Sequence, residues 1–246
     1  MTPHSRAAGG AALGEIHALL WVRATERRAR ASKCGGVRVS SGGGFGDVWT
    51  MMDSVAVVSV VEIIPSDQAP LLARPFYAGG DPGPIAATMA HVPELLECGL
   101  PFIGAVLSPS SIDFRTKEIV ILRTSSVLGC RYCIDSHTPV ALDSGLSSDQ
   151  VRALRSEPGF ATASVLSSPQ DLALVAWTDE LANGRGAVSD ATTEAMQAAF
   201  ADHEIVELTL LVGVTMLLNR YATALRLPVG NATIERLAAD GFERAA

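Results

Sequence analysis

The residues with most chemistry in them fall in "GCRYCIDSHTPVAL", Gly129–Leu142, where Cys130 and Cys133 stand three positions apart and His137 follows the second cysteine by four. On a helix, at about 100° per residue, Cys133 and His137 lie about 40° apart and Cys130 and His137 about 20° apart. All three side chains then share one stripe. An i, i+3 cysteine pair on a helix lies near disulfide range, so a reversible bridge is geometrically accessible. Gly129 reads as the end of one helix, with Cys130 opening the next. The unpaired N–H groups and macrodipole at that end favour an anion, so a thiolate there has a depressed pKa. His137 can exchange a proton with Cys133, directly or through water, and a carboxylate is the natural remote base for such a pair. Glu118 lies twelve positions before Cys130 and reaches the stripe only if the two helices fold back on each other at Gly129. Its neighbours "IVIL", Ile119–Leu122, place it in a partly buried setting that raises a carboxyl pKa. Arg131 is expected to point to solvent.

At this point three readings stay open: a redox dithiol, a metal site, and two small buried hydrophobes. Cys, Cys, His and a carboxylate are all zinc ligands, but structural zinc sites draw ligand pairs from two separated segments, and here three of the four sit on one helix. Haem c attachment is excluded because Ile134, not a histidine, follows Cys133. No βαβ pattern surrounds the pair, which argues against a thioredoxin fold. Taken alone, Glu118 reads as a carboxylate paired with Arg115 or near Lys117, and His137 as an ordinary helix histidine. Cys98 reads as a buried structural thiol and Cys34 as an inconsequential one. His91 and His203 read as surface or helix-start residues, and Arg220 as the partner of a buried carboxylate or of a neighbouring subunit. Pro139 is expected to kink the helix just past His137.

The elements that must position these residues read as helices. "DFRTKEIVILRTSSVLG", Asp113–Gly129, has a capping residue at its start and Gly at its end, with Phe114, Ile121, Leu122 and Ser125 along one face. The next helix runs from about Cys130 to about Ser144. Pro84–Gly99 reads as one helix kinked or broken at Pro93. Ser147–Ser156, Ser168–Gly184, Ser189–Phe200 and Asp202–Leu225 carry further helical signals, with Asp202–Glu204 as an N-terminal cap cluster. "SVAVVSVVEIIP", Ser54–Pro65, is a short strand or an ordered lead-in, followed by a Pro-punctuated loop to Pro84. The expected architecture is a compact all-α domain of six to eight helices.

Composition supports a sizeable core: 48% of the 246 residues are hydrophobic and 18% charged. The net charge of −7 disfavours a nucleic-acid groove or an anionic membrane surface as partner. Charge is uneven, with seven Lys/Arg against three Asp/Glu in residues 1–50 and twelve against twenty-three in 51–246. Residues 1–50 read as a disordered, basic, Gly-rich extension, and Met51–Met52 as a plausible true start. The most apolar window, Ile205–Leu218, is too short to span a membrane and carries Glu207, so it reads as a buried helix. No export signal is evident, so the cytoplasm is the expected compartment. Thiols stay reduced there, which makes a close cysteine pair catalytic or metal-binding rather than a staple.

"KEIVILRTSSVLGCRYCIDSHTPVAL", Lys117–Leu142, resembles the core of the AhpD-like superfamily, in the carboxymuconolactone decarboxylase-like family. The resemblance runs from about Pro84 to Pro228 and includes the tail "LNRYATALRLP", Leu218–Pro228. It implies an all-helical fold assembled as a homotrimer or homohexamer. It implies a peroxidase in which Cys130 and Cys133 are the redox pair and His137 and Glu118 the proton relay, with no cofactor and no metal. The partners would be a peroxide substrate and a dithiol reductant, lipoyl-type or thioredoxin-like. Either Cys133, beside His137, or Cys130, at the helix end, attacks first. The resemblance departs at Tyr132, where the best-studied alkylhydroperoxidases have a histidine; a tyrosine hydrogen-bonds but relays protons poorly at neutral pH. Two other readings compete: a decarboxylase or lactone-processing enzyme using His137 and Glu118, which needs cationic side chains around its pocket, and a non-enzymatic redox sensor.

Overall fold

The computed structural model describes residues 59–156, 165–184 and 186–245. The expected N-terminal extension, with Cys34, lies outside them. The described residues form nine α-helices and no strand: α1 Gly83–Met89, α2 Pro93–Leu107, α3 Phe114–Val127, α4 Arg131–Asp143, α5 Ser148–Arg155, α6 Pro169–Asn183, α7 Asp190–Ala199, α8 Asp202–Leu225 and α9 Asn231–Ala239. Single 3-10 turns, Ser66–Gln68 and Arg74–Tyr77, precede them.

The helices begin where short polar side chains can satisfy the first free N–H groups. Asp113 accepts from Thr116 N at 2.8 Å. Ser147 and Gln150 cap each other's backbone reciprocally, at 3.2 and 3.0 Å. Ser168 and Ser189 cap α6 and α7. Glu204 accepts from Ala201 N at 2.9 Å, the cap function expected of its acidic cluster.

Two open alternatives are decided, and three expectations need correction. The described part of Ser54–Pro65 forms no strand; it is an ordered lead-in, tied by Val60 N to the Leu225 carbonyl at 2.9 Å. Of the kink or break expected at Pro93 it is the break that forms, and the expected stop at Gly99 is not one. Pro93 is the first residue of α2, where its missing N–H costs nothing, and α2 passes through Gly99 and Pro101 to Leu107. Helix α9 has no counterpart among the expected helices, and with the split at Pro93 it raises the count above eight; its N-cap, Gly230, has no side chain to announce a start. Helix α3 is buried on every face from Lys117 to Ser125, not along one stripe.

That total burial makes α3 the axis of the domain, packed against α4, α5, α6 and α8. Its charged residues must therefore be paired inside. Lys117, fully buried, donates to the Val106 carbonyl at 2.8 Å, to the Ser108 carbonyl and to Glu207 at 2.5 Å. Arg123, also fully buried, pairs with Asp179 and donates to the Ser156 carbonyl at 3.0 Å. Arg115 makes a two-pronged bond to Asp171 at 2.7 and 3.0 Å. Helix α8 is longer than its most apolar window suggests and passes the length and composition test for a membrane span. Leu208, Leu211, Val212 and Leu218 nevertheless bury one side of it in the same core as Ile119, Val120, Ile121 and Leu122 of α3, so it serves here as a core helix.

The turn from α3 to α4 sets the geometry of everything that follows. Gly129 sits at φ +62°, in the left-handed region. Its N–H bonds the Ser126 carbonyl at 3.1 Å, and Cys130 N bonds the Ser125 carbonyl at 2.9 Å. This is the two-bond glycine stop of a helix C-terminus. A Cβ on Gly129 would meet no atom within 4 Å, so only the backbone conformation opposes a side chain there. Gly129→Ala is expected to destabilise the fold by about 1–2 kcal/mol, and Gly129→Asn by less, because asparagine tolerates this conformation. Denaturant unfolding curves check both; an alanine variant as stable as wild type would contradict the assignment.

Candidate active site

Cys130 is the residue that ends the turn and caps α4. Its sulfur accepts the Cys133 N–H at 3.4 Å. The Cys133 thiol donates to it, against the opposing effect of burial, and the Cys133 N–H, the Thr223 hydroxyl and the charge of His137 add to the pull, lowering its pKa to about 7. Cys133 moves the other way. Its proton is held by Cys130, and burial and the charge on Cys130 push it far up. Above about pH 7 the pair therefore holds one proton between two sulfurs, with the negative charge on Cys130. Both thiols are reduced. Cys130 is fully buried, whereas Cys133 keeps 5% of its surface open.

Glu118 and His137 meet across the α3–α4 packing. His137 Nδ1 lies 3.0 and 3.2 Å from the two oxygens of Glu118, which is 3% exposed. A carboxylate offers only acceptors, so Nδ1 carries a proton. Burial works to lower the His137 pKa, but the charge and hydrogen bond of Glu118, with the charge on Cys130, raise it overall. Glu118 thus touches His137, and the charge of His137 acts on Cys130. Among the described residues no hydrogen bond joins His137 to either sulfur, so a direct hand-off to Cys133 is absent and His137 acts on Cys130 through charge.

Around the sulfurs the wall is apolar: Ala222 and Leu227 are buried with the cysteines, and Ile85, Tyr132, Tyr221 and Leu225 pack against them. Burial pushes the Tyr132 phenol up, and the charges of Cys133 and Cys130 push it further, so Tyr132 keeps its proton and is no base. Thr88 spends its one hydroxyl proton on the Pro84 carbonyl at 2.8 Å, so Tyr221 donates to Thr88 at 3.0 Å. Among the described residues no group of three or more His, Cys, Asp or Glu converges as metal ligands would.

All four principal residues of the sequence reading, Glu118, Cys130, Cys133 and His137, come together, with Tyr132 beside the pair. Arg115 and Lys117 pair elsewhere, which leaves Glu118 for His137. Arg131 is exposed, as expected. Cys98 is not buried: α2 continues past it and leaves it on an outward face. Arg220 is exposed and has no carboxylate partner among the described residues. Pro139 does not end α4, which continues to Asp143. Sequence reasoning gave no role to Ser125 and Thr223, which act on the cysteines, or to Asn219, which donates to Ser125. Asn219 had a visible signal, a lone amide closing the apolar run "TMLL". Ser125 and Thr223 had none, because they approach the cysteines only through tertiary packing.

Comparison with known proteins agrees with this fold. The sequence model of the carboxymuconolactone decarboxylase family matches residues 93–180, a span that contains Glu118, both cysteines and His137 but not the tail Leu218–Pro228. Among curated proteins none matches the chain. A protein of unknown function from Agrobacterium tumefaciens, grouped with the antioxidant defence protein AhpD, is 25% identical with a TM-score of 0.50, over 58% of this chain and 95% of that one. An alkylhydroperoxidase AhpD core, an uncharacterised peroxidase-related protein from Ralstonia eutropha JMP134, is 16% identical with a TM-score of 0.61, over 72% of this chain and 94% of that one. The debrominase Bmp8, seen in complex with 2,3,4-tribromopyrrole, is 16% identical with a TM-score of 0.58, over 76% and 98%. Residues 93–180 thus match the model of the carboxymuconolactone decarboxylase family, and the chain carries them in a fold similar to those of the AhpD-like structures.

Proposed function

We propose that the protein is a thiol peroxidase that reduces hydroperoxides through a Cys130–Cys133 disulfide cycle. The observation that carries this reading is the placement of both cysteines at the start of α4, where Cys130 Sγ accepts the Cys133 N–H at 3.4 Å, beside the Glu118–His137 pair. Charge and access are divided between the cysteines: Cys130 holds the charge, and Cys133 has the open surface. In the proposed cycle Cys133 passes its proton to Cys130 and attacks the outer oxygen of the hydroperoxide. The O–O bond breaks, two electrons pass from sulfur to oxygen, and Cys133 becomes a sulfenic acid. The departing alkoxide takes a proton from the His137 imidazolium, directly or through water. Cys130 then gives its proton to His137 through water and attacks the Cys133 sulfur. The sulfenic hydroxyl takes that proton and leaves as water, and the disulfide closes. One hydroperoxide and two thiols yield one alcohol, one water and one disulfide. A dithiol donor, lipoyl-type or thioredoxin-like, reopens the bridge by exchange, a step suited to the reducing cytoplasm.

The aliphatic side chains packed with the sulfurs, Ala222, Leu225, Leu227 and Ile85, favour a neutral hydroperoxide over a carboxylate substrate. Self-association into a homotrimer or homohexamer is part of the proposal. Val206, Leu210 and Leu217 line an exposed face of α8, and Leu95 and Phe102 are exposed on α2, which packs against it. A second copy of the chain covering these residues would remove an apolar surface that monomers rarely leave open.

With an alkyl hydroperoxide and a dithiol donor, Cys130→Ser and Cys133→Ser are each expected to reduce turnover by at least about 100-fold. Wild-type activity in both variants would sink the dithiol cycle. The pH profile is expected to be bell-shaped. Activity rises as pH passes about 7 and Cys130 loses its proton. It falls again where His137, needed as the acid, loses its own. Removing the Glu118 charge weakens the imidazolium, so Glu118→Gln is expected to move the alkaline limb to lower pH and cut kcat about 100-fold. A pH–rate profile with an unmoved alkaline limb would separate Glu118 from the relay.

A further inference from the structure

The wall around the sulfurs is closed by a helix that the proposed cycle leaves without a role. Cys133 keeps only 5% of its surface open and Cys130 none, so a peroxide reaches them only past the side chains packed against them. Two of those side chains come from distant parts of the chain. Ile85 stands on α1 and Tyr221 on α8, and both pack against the buried cluster of Cys130, Cys133, Ala222 and Leu227. Tyr221 Oη lies 3.0 Å from Thr88 Oγ1, about one turn beyond Ile85. That single hydrogen bond, between residues 133 positions apart, fixes α1 to α8 beside the sulfurs. The lead-in is fastened to the same end of α8: Val60 N and Ser59 Oγ donate to the Leu225 carbonyl at 2.9 and 3.1 Å. On its other side α1 meets a separate small core through short side chains, Ala86, Ala87 and Ala90. Among the described residues Ile85 is the one side chain of α1 in the sulfur wall.

We propose that Ile85 and Tyr221 determine specificity by setting the size of the hydroperoxide that reaches Cys133: hydrogen peroxide and short alkyl hydroperoxides pass, and bulky ones are held back. This deepens the dithiol reading and rests on it. Ile85 is branched at Cβ and stiff at χ1, so it does not swing clear as an unbranched side chain does. The Tyr221 ring supplies bulk, and its hydroxyl holds α1 against α8. Each contribution can be removed on its own. Ile85→Ala takes away the branched side chain beyond Cβ and leaves these hydrogen bonds intact. Tyr221→Phe keeps the ring and removes only the bond to Thr88, whose hydroxyl still has the Pro84 carbonyl as acceptor at 2.8 Å.

The test isolates Cys133 in the full-length chain by replacing the other three cysteines (Cys34→Ser, Cys98→Ser, Cys130→Ser) and compares its alkylation by N-methylmaleimide and N-phenylmaleimide. Both reagents react with the same thiolate, so a change in the ratio of their rates is independent of the Cys133 pKa and reads size. Adding Ile85→Ala is expected to raise the phenyl-to-methyl ratio about 10-fold, and adding Tyr221→Phe about 3-fold. Met196→Ala, which opens a cavity in the main core outside the sulfur wall, controls for a loosened fold and is expected to leave the ratio unchanged. An unmoved ratio in Ile85→Ala overturns the proposal, and so does an equal rise in Met196→Ala. A rise in Ile85→Ala without one in Tyr221→Phe overturns the part assigned to the Tyr221 hydroxyl. Should Ile85→Ala fail to fold, Ile85→Val decides, with an expected rise of about 3-fold. No peroxide enters the experiment. A wild-type chain inert toward hydrogen peroxide would remove the peroxidase reading, whereas an unmoved ratio in an active one would remove only the size limit.

Discussion

The site depends on one backbone constraint, the left-handed turn at Gly129. Through it a single residue, Cys130, serves two helices: its N–H closes the C-terminus of α3 on the Ser125 carbonyl, and its sulfur opens the N-terminus of α4 by accepting the Cys133 N–H. Both ends of that residue are therefore fixed. The same turn folds α4 back along α3, which is what allows Glu118 to reach His137 although nineteen positions separate them. An unbroken helix would have put Glu118 about 120° off the cysteine stripe. Thiol chemistry and relay geometry thus follow from the same few hydrogen bonds.

The second organising fact is that the central helix is full of charge. Lys117, Glu118 and Arg123 are all buried on α3, an arrangement costly unless each has a partner. Lys117 and Arg123 are answered by carboxylates, Glu207 and Asp179. Those pairs tie α3 to α8 and α6. Glu118 is different, because its partner is an imidazole that can lose its charge. Among the buried charges of α3 it alone belongs to a pair that can take up and release a proton near neutrality, and it is the one beside the sulfurs.

Much of this is legible in the chain because the relevant signals are local. Capping residues mark the starts of α3, α5, α6 and α7. The spacing of Cys130, Cys133 and His137 puts them on one stripe of any helix that carries them, and Gly129 marks the turn. What stays hidden depends on distant contacts. The apolar pattern of α3 gives no warning that Lys117, Glu118 and Arg123 face inward, since that follows from four helices closing around it. The exposure of Cys98 is equally illegible, because it is decided by how far α2 runs, and Gly99 suggests an end that does not come. Helix α9 begins on a glycine without a side-chain cap and leaves no mark. Ser125 and Asn219 lie 94 positions apart and meet only in the folded core.

Tyr132 brings these strands together. Where related alkylhydroperoxidases are expected to carry a second histidine, this chain has a phenol that burial and neighbouring charge keep protonated. It cannot accept the Cys133 proton at neutral pH. Glu118 is committed to His137, and His137 makes no hydrogen bond to Cys133. The group placed to take that proton is the Cys130 thiolate, whose charge is held by the α4 N-terminus and by His137. On the proposed cycle Cys130 is therefore base first and resolving nucleophile second. Its low pKa and its full burial then cease to conflict: a base for its neighbour needs charge but no access to substrate.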